Sequence, residues 1–250
     1  MYDYKQVAEI LDKYYDYKHK LRKYQNKNKQ KQEYYSKNLK IIKKKMEKNM
    51  DNFTFYDENM KIINHKKKEK IEQFITGNLI EPTDIVLELG ARYGTVSCTI
   101  NRILNIKTNQ VSVEPDQRII NALEYNKKIN KSNFHIINGF ISKRKLGLVH
   151  KEAFDGYGTK SKPDELSTIK NYSLEEIEHK YNLKFNVFVA DCEGCLEDFF
   201  SENPNFPKNL RLIIYEKDYS KHCDYDKIEK NLEKNFKHVI KGEQNVWIKK

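Results

Sequence analysis

No run of 18 apolar residues occurs anywhere in this 250-residue chain, and its first residues form no apolar stretch. Neither a membrane span nor a secretory leader is therefore expected. Cysteine is scarce, at four residues. With no leader, four thiols point to a reducing, cytoplasmic setting in which they stay reduced. Two phosphate-binding signatures are also missing. Neither G-x-G-x-x-G nor G-x-x-x-x-G-K-[ST] is present, so the usual glycine cradles for dinucleotides and nucleoside triphosphates are absent. Acidic residues are nearly absent from one long segment. Between Lys18 and Lys48 there are 13 positive side chains and two negative ones.

That segment carries most of the net charge of +11. Residues 1–75 hold 20 Lys and Arg against 11 Asp and Glu, and the rest of the chain holds 27 against 25. Residues 1–52 read as a basic helical arm. Tyr4, Val7, Leu11, Tyr14 and Leu21, then Tyr35, Leu39, Ile42 and Met46, recur at spacings of three and four, a narrow apolar seam on one or two helices. Such a seam packs on the domain or on a second copy, giving a possible homodimer. The lysines of residues 18–48, with tyrosines among them, equally describe a footprint for nucleic acid or another polyanion.

Residues 53–250 read as one α/β domain organised around Ile85–Gly94, IVLELGARYG. A short buried strand, a Gly-x-x-x-Gly turn and an amphipathic helix over Thr95–Leu104 succeed one another. Glycine suits a turn where a Cβ would obstruct both the backbone and an approaching ligand. A second strand, Gln110–Val113, ends in Glu114-Pro115-Asp116. An acid at that tip, some 20 residues beyond the glycine turn, accepts hydrogen bonds from ribose hydroxyls and disfavours a 2′-phosphate. A glycine turn and a ribose acid without a phosphate cradle fit S-adenosyl-L-methionine better than NADP or ATP.

Before this centre, Phe53–Asp57 reads as a connector able to form a lid. Asn59–Ile75 reads as a helix stopped by Gly77. After it, Gln117–Asn130 is an amphipathic helix and Phe134–Ile141 a third strand. The Asn138-Gly139-Phe140 turn at its exit can read a base edge or serve as an ordinary turn. Residues 142–172 lack periodicity, and KEAFDGYGTKSKPDE within them reads as a substrate-side insertion. Ser173 and Glu176 form a capping-box pattern. Phe185–Asp191 is an apolar strand ending in an acid, followed by Cys192-Glu193-Gly194-Cys195 at a helix start. Asp191 and Glu193 are the candidate catalytic pair, able to orient or deprotonate a hydroxyl or to hold an ammonium group; alternatively Asp191 only caps the helix. Leu210–Glu216 is another buried strand, Tyr225–Phe236 a helix, and Asn245–Lys249 the closing strand. No metal is assigned. Cys192 and Cys195 with His222 and Cys223 make only a weak zinc pattern, and Asp191 with the Glu216-Lys217-Asp218 turn only partly matches a magnesium site.

LELGARYG (87–94), VEPD (113–116), HIINGFIS (135–142), YSLEEI (172–177) and above all FVADCEGCLEDF (188–199) resemble the motifs of FkbM-type S-adenosylmethionine-dependent methyltransferases, over about residues 58–250. The resemblance implies a Rossmann-like seven-stranded methyltransferase sheet flanked by helices. It places the cofactor on Glu88, Gly90, Ala91, Gly94 and Thr95, its ribose on Glu114 and Pro115, and its adenine near Asn138, Gly139 and Phe140, with Asp191 and Glu193 facing methionine and acceptor. The implied reaction is O-methylation of a sugar, glycan or other small hydroxyl compound. RNA methylation aided by the basic arm is the alternative, and a non-catalytic protein on the same fold the second. The chain departs from the family's usual Lys- or Asp-rich lead into the signature, having Phe188-Val189-Ala190 there.

Overall fold

The structure, a computed structural model, describes residues 1–47, 52–67, 69–149, 159–218, 220–221 and 223–250. Helices α1 (Tyr4–Tyr24) and α2 (Lys29–Glu47) form a hairpin, opened by a capping box in which Asp3 and Gln6 bond reciprocally. A two-stranded ribbon follows, β1 (Phe55–Tyr56) against β2 (Ile62–Ile63). Then come α3 (Lys70–Leu79), β3 (Val86–Leu89), α4 (Thr95–Ile103), β4 (Gln110–Glu114), α5 (Ile120–Ile129) and β5 (His135–Asn138). Residues 140–172 contribute β6 (Phe140–Ile141), β7 (Leu146–Val149), β8 (Lys160–Pro163) and β9 (Asn171–Tyr172). The chain ends with α6 (Leu174–Tyr181), β10 (Val187–Ala190), α7 (Leu196–Glu202), β11 (Leu212–Glu216), α8 (Tyr225–Leu232), β12 (Phe236–Ile240) and β13 (Gln244–Lys249).

Seven strands form one sheet in the order β12-β13-β11-β10-β3-β4-β5. β13 runs antiparallel to both its neighbours, and the pairs from β11 to β5 are parallel. This is the Rossmann-like architecture expected. The chain leaves β3 for β4 and β5, then returns to β10 on the other side. β3 and β10 therefore flank the switch point, where a crevice opens beyond the strands' carboxyl ends.

The strands alternate sides with period two. Leu87 and Leu89, Phe188 and Ala190, and Ile213 and Tyr215 enter a core with α6, α7 and α8. Val86, Val187 and Val189, and Leu212 and Ile214 enter the opposite core with α3 and α4. Val7, Ile10, Leu11 and Met46 belong to that second core. Burying four such side chains stabilises the arm's base by on the order of 6 kcal/mol or more, before ordering costs. The buried base of the seam is thus covered by the chain's own domain.

Several sequence expectations shift. Residues 59–67 are not helical: Met60 adopts a left-handed φ of 59° in the ribbon's turn, and the helix begins at Lys70. Gly77 does not stop it, since α3 continues to Leu79. α8 ends at Leu232, and Phe236–Ile240 is a strand at the sheet's edge rather than the helix end. Of the substrate-side insertion, KEAFDGYGTKSKPDE, residues 151–158 lie outside the described residues, and Lys160–Pro163 forms β8, which pairs antiparallel with β7 ahead of the insertion.

Candidate active site

The switch-point crevice is lined by Gly90 and Arg92 after β3, Glu114, Pro115 and Asp116 after β4, and Gly139 and Phe140 after β5. Asp191, Cys192, Glu193 and Cys195 after β10 close one side, and Ile141, Leu146, Leu148 and Phe199 give an apolar wall. Gly90 has φ +87°, and a Cβ there would stand 1.7 Å from the carbonyl oxygen of Asp191. Glycine is therefore demanded by the neighbouring strand tip as much as by the turn.

Glu114 is 6% exposed. Its carboxylate accepts from the backbone N–H of Arg92 and of Asp116, each at 2.8 Å. Burial pushes its carboxyl up to about 7, against the pull of those two donors. Each oxygen has one protein donor and retains a lone pair for a ligand hydroxyl.

Of the residues named from sequence, Gly90, Glu114, Pro115, Gly139, Phe140, Asp191 and Glu193 meet at this crevice. Glu88 does not. It occupies the β3 position between two residues of the other face, is 2% exposed, and accepts from Ser112 Oγ at 2.6 Å. Strand alternation turns it beneath the sheet toward α4, so its expected cofactor contact is corrected. Ala91 is packed with Phe55, Cys98, Leu123 and Phe134, and a Cβ on Gly94 would meet Leu123. Thr95 is fully buried and donates to Glu69. Asn138 Nδ2 donates to the Glu114 carbonyl at 2.9 Å, tying β5 to β4. These four shape the lining from behind it. Residues 53–59 do not line the crevice, so the lid expectation is not met. Phe55 is core, and Glu58 accepts from the Tyr93 hydroxyl at 2.6 Å.

The cysteines also differ from expectation. Cys192 and Cys195 form a disulfide, with Cα atoms 5.5 Å apart, whereas Cys98 and Cys223 are free and buried. With its two ligands bonded to each other, the zinc pattern is not assembled; His222 lies outside the described residues. The bridged loop holds Glu193 at φ 54° and Gly194 at φ 91°. The Glu193 side chain and the Gly194 N–H hydrogen-bond Asp218.

Acidity dominates. Among the crevice-lining side chains, Glu69, Glu114, Asp116, Asp191, Glu193, Asp198 and Glu202 are carboxylic, and Arg92 is the one cation. Burial, then the charge of Glu216, raises the Asp191 carboxyl well above its usual range. Burial, then Asp191, does the same to Glu72. Sequence reading missed Glu69, Glu72 and Arg92. The first two precede the glycine turn on a stretch read only as an amphipathic helix, and no local spacing marks them.

No known protein family matches the sequence, and no curated protein does. Among solved structures the chain is similar to an rRNA methylase from Streptococcus thermophilus, at 7% identity over 72% of this chain and 95% of that one, TM-score 0.46. It is also similar to a ribosomal protein L11 methylase from Lactobacillus delbrueckii subsp. bulgaricus, at 12% identity over 72% and 77%, TM-score 0.43. A third is a precorrin-6y C5,15-methyltransferase from Geobacter metallireducens, at 13% identity over 80% and 95%, TM-score 0.42. Identities this low do not carry a reaction from those proteins to this chain.

Proposed function

We propose that the chain is an S-adenosylmethionine-dependent methyltransferase that methylates a hydroxyl of a sugar, glycan or other small molecule. The observation that carries this reading is the charge of the switch-point crevice. Of the seven carboxylic side chains, Asp116 is paired with Arg118, and Asp198 and Glu202 with Arg144; the remaining four, Glu69, Glu114, Asp191 and Glu193, disfavour a diphosphate cofactor and suit one bearing a sulfonium and an ammonium. Glu114 offers its free lone pairs to the ribose hydroxyls, Gly90 leaves room at the turn, and the wall of Ile141, Leu146, Leu148 and Phe199 accepts a flat base. The motif resemblance to FkbM-type enzymes supports the same reading.

The cofactor supplies an electrophilic methyl group. The protein's part is to hold the acceptor oxygen in line with it, which contributes much of the rate by positioning. Asp191 and Glu193 stand where the crevice meets a second cavity. A carboxyl with a raised proton affinity there is the better general base for a hydroxyl, and uncharged acid or carboxylate alike hydrogen-bonds a polyol.

RNA is the second acceptor reading. It rests on the lysines of the distal α1–α2 hairpin. Several of its tyrosines are already engaged within the hairpin: Tyr24 stacks on Tyr35 at 5.7 Å, with Lys31 over Tyr24 at 4.7 Å. Methyl-labelled cofactor incubated with the full chain and a panel of saccharides, small polyols and RNA separates the readings. Label in the saccharide or polyol fraction supports the proposal. Transfer to RNA alone, lost when Lys23, Lys27 and Lys31 are changed to Glu, replaces it with the second reading. Cofactor binding without transfer to any member favours a non-catalytic protein. Deleting the arm is a poor test, because its base is core.

A further inference from the structure

The second cavity, which meets the crevice at Asp191 and Glu193, has a volume of about 840 Å³. Small-molecule sites span about 300–1,000 Å³. One part of its lining is the row of strand tips: Asp191 and Glu193 after β10, and Glu216 and Asp218 at the end of β11. Another part is the helical arm. Lys18 reaches the cavity from α1 and Lys43 from α2, while Lys67 and Lys70 line it where the chain enters α3. The arm is therefore more than a packing element. It walls the space beside the point where a methyl group would be transferred.

The four lysines differ in their partners. Lys18 pairs with Glu243 at 3.0 Å, and Lys70 with Glu47. Lys43 lies one turn before Glu47 on α2, yet Glu47 is taken by Lys70. Among the described residues the ammonium groups of Lys43, which is half-buried, and Lys67, which is exposed, form no ion pair or hydrogen bond. The acids at the strand tips do not reach them and are engaged with one another. Glu193 hydrogen-bonds Asp218, and two carboxyl groups make such a bond only by holding a proton between them. Gln244 Nε2 donates to Glu216 Oε2 at 3.0 Å, and the same side chain hydrogen-bonds Glu72. Burial, then Asp218, raises the Glu216 carboxyl to about 7. Carboxyls that retain protons both donate to and accept from hydroxyls. The cavity thus has a hydroxyl-binding part at the strand tips and two uncommitted ammonium groups toward the arm.

We propose that this cavity is the acceptor site and that its acceptor is a small hydroxyl compound carrying a phosphate group, held at the phosphate by Lys43 and Lys67 and at its hydroxyls by the strand-tip carboxyls. The role as acceptor rests on the methyltransferase reading; the binding of a phosphorylated hydroxyl compound does not. Among the described residues no arginine lines the cavity. An arginine fork matches a flat carboxylate, whereas ammonium groups act as point charges that gather around a dianionic phosphate. Asp191 lines both cavities, so the hydroxyl that reaches it is the one presented to the cofactor's methyl group. Lys43 and Lys67 then set which compound enters, and the arm reads the acceptor while the sheet holds the cofactor.

The test reads binding alone, without cofactor. Glucose 6-phosphate, glucose and gluconate are titrated by calorimetry into the full chain. The proteins are the wild type, a variant combining Lys43→Ala with Lys67→Ala, and Lys37→Ala, which removes an exposed lysine of α2 outside the cavity. The expected result is one site per chain for the phosphate ester, at least about tenfold tighter than for glucose or gluconate, and competed by inorganic phosphate. Affinity falls at least about tenfold in the double variant, which loses two charge-assisted contacts, and is unchanged in Lys37→Ala. Neither lysine of the pair has a protein partner to lose, so the double variant folds, which circular dichroism checks. Three outcomes overturn the proposal: wild type that takes up no glucose 6-phosphate at millimolar concentration, equal affinity for the three compounds, and equal loss in Lys37→Ala. Phosphate-ester binding by a chain that binds no S-adenosylmethionine leaves this site standing and removes the methyltransferase reading. Methyl transfer to an unphosphorylated hydroxyl compound, with the phosphate ester neither bound nor methylated, does the reverse.

Discussion

Gly90→Ala is the sharpest perturbation of the frame that builds the crevice. The residue has φ +87°, which costs an L-residue about 1–2 kcal/mol. The added Cβ would stand 1.7 Å from the Asp191 carbonyl oxygen and 2.8 Å from its carbon. Those are backbone atoms of the adjoining strand tip, so the clash is relieved only by moving β10 away from β3, at about 1–3 kcal/mol for an overpacked interior. The total is about 2–5 kcal/mol. Gly94→Ala is the control. Its φ is +82°, but its Cβ would meet a side-chain atom, Leu123 Cδ1, at 2.8 Å. Leucine rotates away, leaving mainly the backbone cost of about 1–2 kcal/mol. Urea unfolding with unchanged m-value measures both. Gly90→Ala within about 0.5 kcal/mol of wild type, or no worse than Gly94→Ala, refutes the claim that the strand tip requires glycine here.

Gly77→Ala should stabilise by about 0.5–1 kcal/mol in thermal unfolding, because Gly77 is inside α3 and its Cβ would make an ordinary 3.5 Å contact with Thr99. Asp84→Asn should cost about 2–3 kcal/mol in urea, since the 1%-exposed Asp84 carboxylate accepts from Arg211 Nε at 2.6 Å while the partly exposed guanidinium can rehydrate. Thiol titration of denatured, unreduced protein should find two free thiols, Cys98 and Cys223, and four after reduction; four before reduction contradicts the bridge at Cys192 and Cys195. Glu114 titrates near 7 folded against an ordinary 4.5, so the native state keeps a proton that the unfolded chain has lost. Stability therefore falls as pH rises from about 4.5 to about 7, and Glu114→Gln should remove about 3 kcal/mol of that fall.

Much of the frame is local and so can be read from the chain. The buried strands, the glycine turn, the acid at the tip of β4 and the Ser173–Glu176 capping box each declare themselves within a few residues. The box forms with both reciprocal bonds. What escapes reading depends on partners distant in sequence. Glu88 looks like a crevice residue until the sheet's alternation sets which face it takes. Asn59–Glu69 carries helix-spaced Met60 and Ile63, yet β1 and β2 pair across that turn because Phe55 is drawn into the core with Leu123 and Phe134. The β12 strand is short and lies at the sheet's edge with Lys237 exposed, which hides its period. Its partner β13 supplies the pairing. Glu72, Asp191, Glu216 and Gln244 line one cavity from four elements, and only the packing of α3 against the strand tips brings them together.

The measurement that bears most directly on the central claim is calorimetric titration of S-adenosylmethionine and S-adenosylhomocysteine into the full chain, with Glu114→Ala beside it. The crevice as described predicts one site per chain with micromolar affinity, on the order of −8 kcal/mol, lost or weakened at least about tenfold when the ribose acid is removed. No heat from either ligand with folded wild type, in the presence and absence of magnesium, contradicts the account.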